Sequence, residues 1–300
     1  MARKNSLQTT RHGTRSGVDF SGKVLCGDAR AVLGKLPAES IDCVVTSPPY
    51  FQQRDYGSSR QVGQEKHPSE YVETLRQVFA EIRRVLKPSG TLWLNLGDKY
   101  RKGSQLGMPW RVALSLLDDD WLLRNEIIWH KPNAMPSPAR NRLTVDHESL
   151  FFFVKQPDYF YDADAIREPH VTFTENSRMK GGRKHFGKRG GTPEQGKNAG
   201  NTNLHDGRWD QAFHPGGRNR RTVWSIPLSK NRDAHFAVFP AELVRICIQA
   251  GCPANGILLD PFCGTGTSLV MAQQLGRDFV GIDCCREYCA ISRRNLRRNR

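Results

Sequence analysis

Two short segments of the chain combine residue types that can bind a small molecule and direct its chemistry. The first reads Asp-Pro-Phe-Cys-Gly-Thr-Gly-Thr over residues 260–267 and lies between an apolar run at 257–259 and a helical pattern that ends at Gly276. Glycines at a strand-to-helix turn let a ligand approach the backbone. A further apolar run ends at Asp283, where a carboxylate can accept hydrogen bonds from two ribose hydroxyls. This segment therefore predicts a nucleoside site.

The ligand predicted for this turn is not a dinucleotide. The dinucleotide fingerprint needs a third glycine at position 269, where this chain has Leu269. The carboxylate of Asp260 beside the turn would repel a pyrophosphate and attract a cationic amino group. A nucleoside that carries an ammonium group fits better, and S-adenosylmethionine is such a molecule. The combination of strand, helix and two acids disfavours the alternative of an ordinary glycine-rich turn.

The second segment is Ser-Pro-Pro-Tyr at residues 47–50, directly after the apolar run 41–46. Two prolines fix two φ angles and remove two N–H donors, which leaves a rigid rim with free carbonyls. Ser47 adds a hydroxyl and Tyr50 an aromatic face. Rigid acceptors beside a stacking ring suit a planar base with an exocyclic amine, whereas a plain proline-rich turn is the alternative.

These segments need a sheet to position them, and the hydrophobic pattern predicts one. Strand-like apolar runs alternate with stretches of helical spacing, which is typical of a mostly parallel sheet covered on both faces. The absence of a helix between the last two apolar runs before residue 155 indicates an antiparallel strand at one edge. We count seven strands, near residues 23–26, 41–46, 91–96, 125–130, 149–154, 257–259 and 279–282.

Positive charge is concentrated in three segments of the chain. The 300 residues include 45 Lys or Arg and 30 Asp or Glu, a formal net charge of +15. Residues 1–17 contribute +4, residues 165–233 contribute +8 and residues 286–300 contribute +5. The stretch 165–233 also combines ten glycines with spaced aromatic residues and little apolar periodicity. Such a stretch suits phosphate contacts and base stacking, so we expect nucleic acid to meet it and both basic ends; a loose solvated insertion is the alternative.

This distribution divides the chain into a basic arm at 1–17, two halves of one domain at 18–164 and 234–300, and an insertion at 165–233. No apolar run of about 18 residues and no secretory signal is present, so we expect a soluble, cytoplasmic protein. The eight cysteines form no C-x-x-C pair. We therefore expect reduced thiols and no metal site.

Taken together, the two segments resemble the motifs of the DNA amino-methyltransferases, which modify N4 of cytosine or N6 of adenine. Residues 47–50 resemble the family's catalytic (Ser/Asn/Asp)-Pro-Pro-(Tyr/Phe), and residues 260–266 resemble its cofactor motif Asp-Pro-Phe-x-Gly-x-Gly. Their order along the chain, with a basic region between them, is that of the family's β group, in which that region recognises the target. The resemblance covers roughly residues 22–290. It implies a Rossmann-like fold, S-adenosyl-L-methionine as cofactor and double-stranded DNA as substrate.

The resemblance also implies roles for individual residues. Asp28 would contact the cofactor adenine, and Asp283 stands where the family binds the ribose. Residues 235–240 resemble a segment that closes over the cofactor, although Phe-Pro replaces the Lys-Pro of many members, so this chain has no lysine at that position for a charge contact. The implied catalytic residues are Ser47, Pro48, Pro49 and Tyr50, and the implied cofactor-binding residues are Asp28, His235, Phe239, Pro240, Asp260, Phe262, Gly264, Gly266, Thr267 and Asp283.

Serine at the first position of the tetrapeptide favours N4 of cytosine, because adenine enzymes of the family usually carry Asp there. The target base would leave the duplex and stack on Tyr50, with its amine donating to Ser47 and to the Pro48 carbonyl. The whole chain resembles type II modification methylases, with CCCGGG as the suggested site. This implies a cognate restriction endonuclease acting on the same site, with no stable complex, and a methylase that is a monomer or a dimer.

Other functions remain open at this point. N6-adenine methylation uses the same motifs, and an RNA or small-substrate methyltransferase would need no long recognition region. A catalytically idle DNA-binding module would keep the basic insertion alone. A C5-cytosine enzyme is disfavoured, because its nucleophilic cysteine usually lies in a Pro-Cys dipeptide that this chain does not contain.

Overall fold

The computed structural model describes residues 20–55, 61–170, 214, 216–228 and 240–299. The predicted basic arm at 1–17, most of the insertion at 165–233, and both His235 and Phe239 lie outside these residues. The architecture is therefore that of the described part of the chain.

Ten strands and six helices alternate along the described residues, together with one 3-10 turn at Asp164–Ile166. The strands are β1 (Lys23–Cys26), β2 (Ile41–Thr46), β3 (Leu86–Leu96), β4 (Tyr100–Arg101), β5 (Ser104–Gln105), β6 (Leu122–His130), β7 (His147–Val154), β8 (Val223–Ser225), β9 (Ile257–Asp260) and β10 (Asp278–Asp283). The helices are α1 (Ala29–Leu33), α2 (Pro68–Val85), α3 (Met108–Asp118), α4 (Ala241–Gly251), α5 (Thr267–Gln274) and α6 (Arg286–Arg298).

Eight of these strands form one sheet in the order β1-β10-β9-β2-β3-β7-β6-β8, and β4 and β5 form a separate hairpin. All neighbours in the sheet pair in parallel except β7, which is antiparallel to both β3 and β6. The predicted α/β class with a mostly parallel sheet is confirmed.

The predicted count of seven strands is one too low. The missing strand is β8, three residues inside the stretch 165–233, too short to show an alternating pattern. It pairs with β6 and buries Trp224 against Trp93, with 6.4 Å between the ring centroids. The antiparallel strand is β7, as its sequence suggested, but it lies inside the sheet, because β6 and β8 continue the sheet beyond it.

Alternating side chains of the strands supply two hydrophobic cores, one on each face of the sheet. In β7, Phe151 and Phe153 belong to the core covered by α1, α2 and α3. Phe152 points to the opposite core, which α4, α5 and α6 cover, and stacks on Trp93 at 4.2 Å between ring centroids. The three consecutive phenylalanines therefore fill both layers.

The strand order reverses between β9 and β2. From β9 the chain proceeds through α5 to β10 on one side, and from β2 it proceeds through α2 to β3 on the other. Helices depart in opposite directions at such a point and leave a crevice at the carboxyl ends of the strands, where ligands bind in open α/β sheets. Both predicted motifs follow these two strands. None of the helices in the described ranges is long and apolar enough to cross a bilayer.

The eighth strand makes a testable contribution to stability. Trp224 is 4% exposed, so Trp224→Ala removes a buried ring and should lower the free energy of unfolding by about 3 kcal/mol or more. The neighbouring Val223 is 61% exposed, and Val223→Ala should change it by less than about 0.5 kcal/mol. Urea unfolding of both variants measures the difference; equal losses would show that β8 does not belong to the core.

Candidate active site

A pocket at the carboxyl ends of β1, β2, β9 and β10 brings both predicted motifs together. Each of these four strands supplies lining residues from the loop or helix that follows it. Six of the predicted site residues line this pocket: Asp28, Ser47, Pro49, Phe262, Gly264 and Asp283. The arrangement follows from the topology, since parallel strands end at one edge of the sheet.

The glycine-rich turn after β9 needs glycine for a steric reason. Gly266 has φ +85° and begins α5, and a Cβ on it would lie 2.2 Å from Oγ of Ser292 on α6. Only glycine permits both this backbone conformation and this close packing. The turn is thereby held tightly against α6, with Gly264 and Thr265 on the pocket surface.

Asp283 ends β10 at the wall of the pocket. Its Oδ2 accepts from the amide of Gly264 at 2.9 Å, and its Oδ1 accepts from the amide of Cys285 at 2.8 Å. Burial raises the pKa of this carboxyl above its ordinary value, whereas these two amides lower it. Each carboxylate oxygen keeps a further lone pair, which leaves capacity for two hydroxyl donors.

Asp260 lies behind the pocket and links its two halves. Its Oδ1 accepts from Oγ1 of Thr46 at 2.8 Å and its Oδ2 accepts from Oγ of Ser268 at 2.5 Å. The amide of Phe262 also donates to Oδ1, at 3.1 Å. The side chain is 5% exposed, and this burial raises the pKa of Asp260 to about 6. A structural role in joining β2 to β9 and α5 therefore stands beside the predicted attraction of a cationic ligand.

Asp28 begins α1 on the β1 side of the pocket. Its Oδ1 accepts from the amide of Ala31 at 2.9 Å, which is the hydrogen bond of a helix N-cap. The preceding amide, of Gly27, donates to the carbonyl of Asp283 at 2.9 Å. This backbone hydrogen bond between the ends of the adjacent strands β1 and β10 fixes the position of Asp28 relative to Asp283.

The tetrapeptide after β2 presents its groups unequally. The carbonyl of Pro49 accepts from the hydroxyl of Tyr71 at 2.9 Å, whereas the carbonyl of Pro48 has no hydrogen-bond partner among the described residues. Oγ of Ser47 donates to the hydroxyl of Tyr50 at 3.1 Å. Ser47 and Pro49 line the pocket, whereas Pro48 is buried and neither it nor Tyr50 is among the lining residues.

A polar cluster behind Tyr50 is absent from the sequence prediction. The Tyr50 hydroxyl donates to Oε2 of Glu148 at 2.7 Å, and Nδ2 of Asn95 donates to both at 2.7 Å. The ammonium of Lys131 is hydrogen-bonded to Oε1 of Glu148. Burial and the Glu148 carboxylate raise the pKa of Tyr50 well above its ordinary value, so the phenol keeps its proton. Glycine at 97 makes room for the ring, because a Cβ there would lie 2.5 Å from Cε2 of Tyr50.

Two partners of Tyr50, Asn95 and Glu148, carried little sequence signal. Asn95 lies inside an apolar strand, and Glu148 lies at the start of β7, where neither periodicity nor a motif marks it. Other lining residues were also missed: Arg54, Gln61, Thr265, Cys284 and Tyr288. Thr265 could have been found from its place between the two predicted glycines.

Some predicted site residues lie elsewhere. Pro240 begins α4 and lines a second groove beside β8, not the pocket. Gly266 and Thr267 stand behind the turn, outside the pocket lining. His235 and Phe239 fall outside the described residues. Asp260 is enclosed by its protein partners.

Part of the basic charge is also placed away from the pocket. Helix α6 starts beside Asp283 and runs back along the sheet, and Arg293 donates to the carbonyl of Val24 near the start of β1. The arginines at its end therefore lie toward the opposite edge of the sheet. In the described part of the insertion, Arg218 is paired with Glu168, and Arg220 donates to the carbonyl of Ile166.

Comparison with known proteins identifies the family. The family model of the N6/N4 methyltransferases, described as DNA methylase, matches residues 41–294. The chain belongs to this family. It is 35% identical over 309 residues to the type II methyltransferase M.SmaI of Serratia marcescens, covering 93% of this chain and 92% of that protein. It is 36% identical over 295 residues to M.Cfr9I of Citrobacter freundii, covering 89% of this chain and 84% of that protein.

Solved structures share the fold. The cytosine-N4-specific PvuII DNA methyltransferase superposes with a TM-score of 0.66 at 20% identity, covering 92% of this chain and 86% of that chain. TTHA0409 of Thermus thermophilus, in complex with S-adenosyl-L-methionine, superposes with a TM-score of 0.58 at 24% identity, covering 92% of this chain and 93% of that chain. The Rossmann-like fold of the methyltransferases is thus confirmed for this chain.

The protein is a DNA methyltransferase of the type II modification class that uses S-adenosyl-L-methionine. The chemistry of the pocket fits this cofactor. Asp283 retains acceptor capacity for a ribose, and the backbone at Gly264 faces open space in the pocket, where a ligand can approach it. When bound, the cofactor supplies an electrophilic methyl group on a sulfonium.

The burial of Asp260 predicts a pH dependence of stability. Its pKa of about 6 exceeds the ordinary value of 3.8, so ionisation is penalised in the native state above pH 6 and the penalty disappears as pH falls from 6 to 4. Relative to Asp260→Asn, the wild type should therefore gain up to about 3 kcal/mol of stability over that range.

Urea unfolding of the ligand-free protein between pH 7.5 and 4 measures this gain. Ser268→Ala removes a donor and keeps the carboxylate, so this control should retain the trend and move it to higher pH. A stability difference between wild type and Asp260→Asn that is constant with pH would contradict the prediction.

Proposed function

We propose that this methyltransferase transfers the methyl group to N4 of cytosine in double-stranded DNA. The observation that carries the proposal is the placement of Ser47 and Pro49 in the same pocket as Gly264 and Asp283. The uncharged hydroxyl of Ser47 stands there in place of the carboxylate that adenine enzymes of the family usually carry. The cytosine-N4-specific PvuII enzyme shares the fold, which supports the same choice.

The residues of the chain would act by holding the base amine. A cytosine flipped from the duplex would stack on Tyr50 and donate its two amino protons to Oγ of Ser47 and to the carbonyl of Pro48. Both acceptors hold the protons in one direction, which draws the nitrogen lone pair out of conjugation and turns it toward the cofactor. The N–C bond would form as the bond from sulfur to methyl breaks, leaving the thioether S-adenosylhomocysteine, and the surplus amine proton would be released to water. The Pro48 carbonyl suits this role because no described residue occupies it.

Asp283 and Asp28 would bind the nucleoside end of the cofactor, at the ribose and the adenine. Gly264, Gly266 and Phe262 would shape the turn beneath it, and Thr267 would begin the helix behind it. Asp260 would act mainly by fixing that turn to β2. Pro240, His235 and Phe239 keep the role of closing over the cofactor as a prediction.

Chemistry at carbon 5 of cytosine has no support. It needs a nucleophilic thiolate, and the thiol nearest the cofactor turn is Cys263. Burial, together with the charges of Asp260 and Asp283, raises the pKa of Cys263 well above its ordinary value, which keeps the thiol protonated and inert.

Recognition of DNA is assigned to the insertion at 165–233 and to the arm at 1–17, because the arginines in the last turns of α6 lie toward the opposite edge of the sheet. The proposal divides the chain into two halves of one methyltransferase domain, at 18–164 and 234–300, and the insertion between them. Strand β8 lies within 165–233 but is part of the sheet. The type II relatives support a modification role opposite a cognate restriction endonuclease in the cytoplasm, with CCCGGG as the first site to test and a monomer or dimer as the working form.

The product is the decisive test. Plasmid DNA treated with the wild-type enzyme should contain N4-methylcytosine, and Ser47→Ala should lower the rate of its formation roughly 10²-fold or more, because a positioned acceptor is lost. Nucleoside analysis by mass spectrometry measures both. Appearance of N6-methyladenine instead would replace the proposal by its alternative, and methylation of RNA alone would refute it.

The ribose role of Asp283 predicts a loss of cofactor affinity. Asp283→Ala removes two charge-assisted hydrogen bonds and should raise the Kd for S-adenosyl-L-methionine by roughly 30-fold or more. Calorimetry measures this Kd, and Asp278→Asn, at the exposed start of the same strand, serves as the matched control that should keep the wild-type value. Unchanged affinity in Asp283→Ala would remove the ribose contact from the proposal.

A further inference from the structure

A chain of hydrogen bonds runs from the pocket into the protein. Ser47 donates to Tyr50, and Tyr50 donates to Glu148, over distances of 3.1 and 2.7 Å. Asn95 donates to the Tyr50 hydroxyl as well as to Glu148, each at 2.7 Å. Lys131 donates to the other oxygen of Glu148.

The direction of this chain follows from counting donors and acceptors. An ionised carboxylate only accepts, so the proton of Tyr50 must point toward Glu148. The Tyr50 oxygen then has no proton left for Ser47 and can only accept from it. The proton of Ser47 is thereby committed to Tyr50, and its free lone pair can only accept from a group in the pocket.

We infer that Glu148 is a positioning residue for methyl transfer, which keeps Ser47 as an acceptor of the target amine through Tyr50. This role rests on the proposed function, because it needs an amino group as the substrate. It applies equally to cytosine N4 and adenine N6, since both amines donate.

Lys131 holds Oε1 of Glu148 and so leaves Oε2 to face Tyr50. Both side chains are 15% exposed, and the ammonium is 4.6 Å from the centroid of the Trp129 ring. If position 148 carried an amide, the ammonium would attract its carbonyl oxygen and turn its NH2 toward Tyr50. The Tyr50 proton would then turn to Ser47, and the Ser47 proton would point into the pocket, against the amine.

This geometry predicts a rescue. Glu148→Gln should lower the single-turnover rate of methyl transfer roughly 10- to 100-fold, with the Kd for S-adenosyl-L-methionine and the KM for DNA within about twofold of wild type. Lys131→Met alone leaves the carboxylate as an acceptor and should stay within about fivefold. The double variant Lys131→Met/Glu148→Gln frees the amide to turn its oxygen to Tyr50, so it should be at least about fivefold faster than Glu148→Gln.

A merely structural ion pair gives the opposite pattern. In that case Lys131→Met and Glu148→Gln would lose similar amounts of activity and of thermal stability, and the double variant would show no recovery. Either a Glu148→Gln variant as fast as wild type or a loss without recovery in the double variant would overturn the role of Glu148.

Tyr50→Phe supplies a second measurement that does not depend on how well Glu148→Gln folds. This variant keeps the stacking ring but removes the hydroxyl that links Ser47 to Glu148 by hydrogen bonds. Its rate of methyl transfer should therefore fall by a factor similar to that of Glu148→Gln. A wild-type rate in Tyr50→Phe would also overturn the inference. A wild-type protein that methylates no amino group in DNA would refute the proposed function itself, whereas an active wild type with an unimpaired Glu148→Gln refutes only the role of Glu148.

Discussion

A single buried carboxylate holds the two halves of the active site in register. Asp260 ends β9, accepts from Thr46 at the end of β2, and accepts from Ser268 in α5. Because Thr46 immediately precedes the Ser-Pro-Pro-Tyr loop, the position of the reacting groups relative to the cofactor turn depends on this contact. The contact keeps the carboxylate of Asp260 out of water, and this burial raises its pKa to about 6. Removing either partner would leave buried polar groups unsatisfied, and the two motifs would lose their common reference point.

The sequence was sufficient for the main architecture and for the pocket. Apolar runs located seven of the eight strands of the sheet, because parallel strands buried on both faces have long apolar stretches. The motifs were found because their glycines and prolines have few other uses at strand ends. Strand β8 was missed because three residues show no period, and its burial depends on a tryptophan from a distant strand.

The polar cluster behind Tyr50 could not be predicted for a different reason. Asn95, Lys131 and Glu148 lie on or beside three different strands and meet only because β7 is reversed between β3 and β6. Their types and spacing in the chain are ordinary. The charge distribution shows the same limit. Counting arginines located basic segments, but only the fold reveals that the arginines at the end of α6 lie away from the pocket and that Arg218 is paired with Glu168.

The reversed strand has a consequence for how this fold can diversify. Since β6 ends and β7 begins at the same edge of the sheet, residues 131–146 leave and return on the substrate side. Met135 and Leu143 in this loop are 81% and 89% exposed, so little of the protein core depends on them. Insertions here would lengthen a protrusion toward the substrate without moving a strand, as long as Lys131 and Glu148 remain at its two ends. The connection between β6 and β7 thus has a middle part that is free to change and two end residues, Lys131 and Glu148, that must stay.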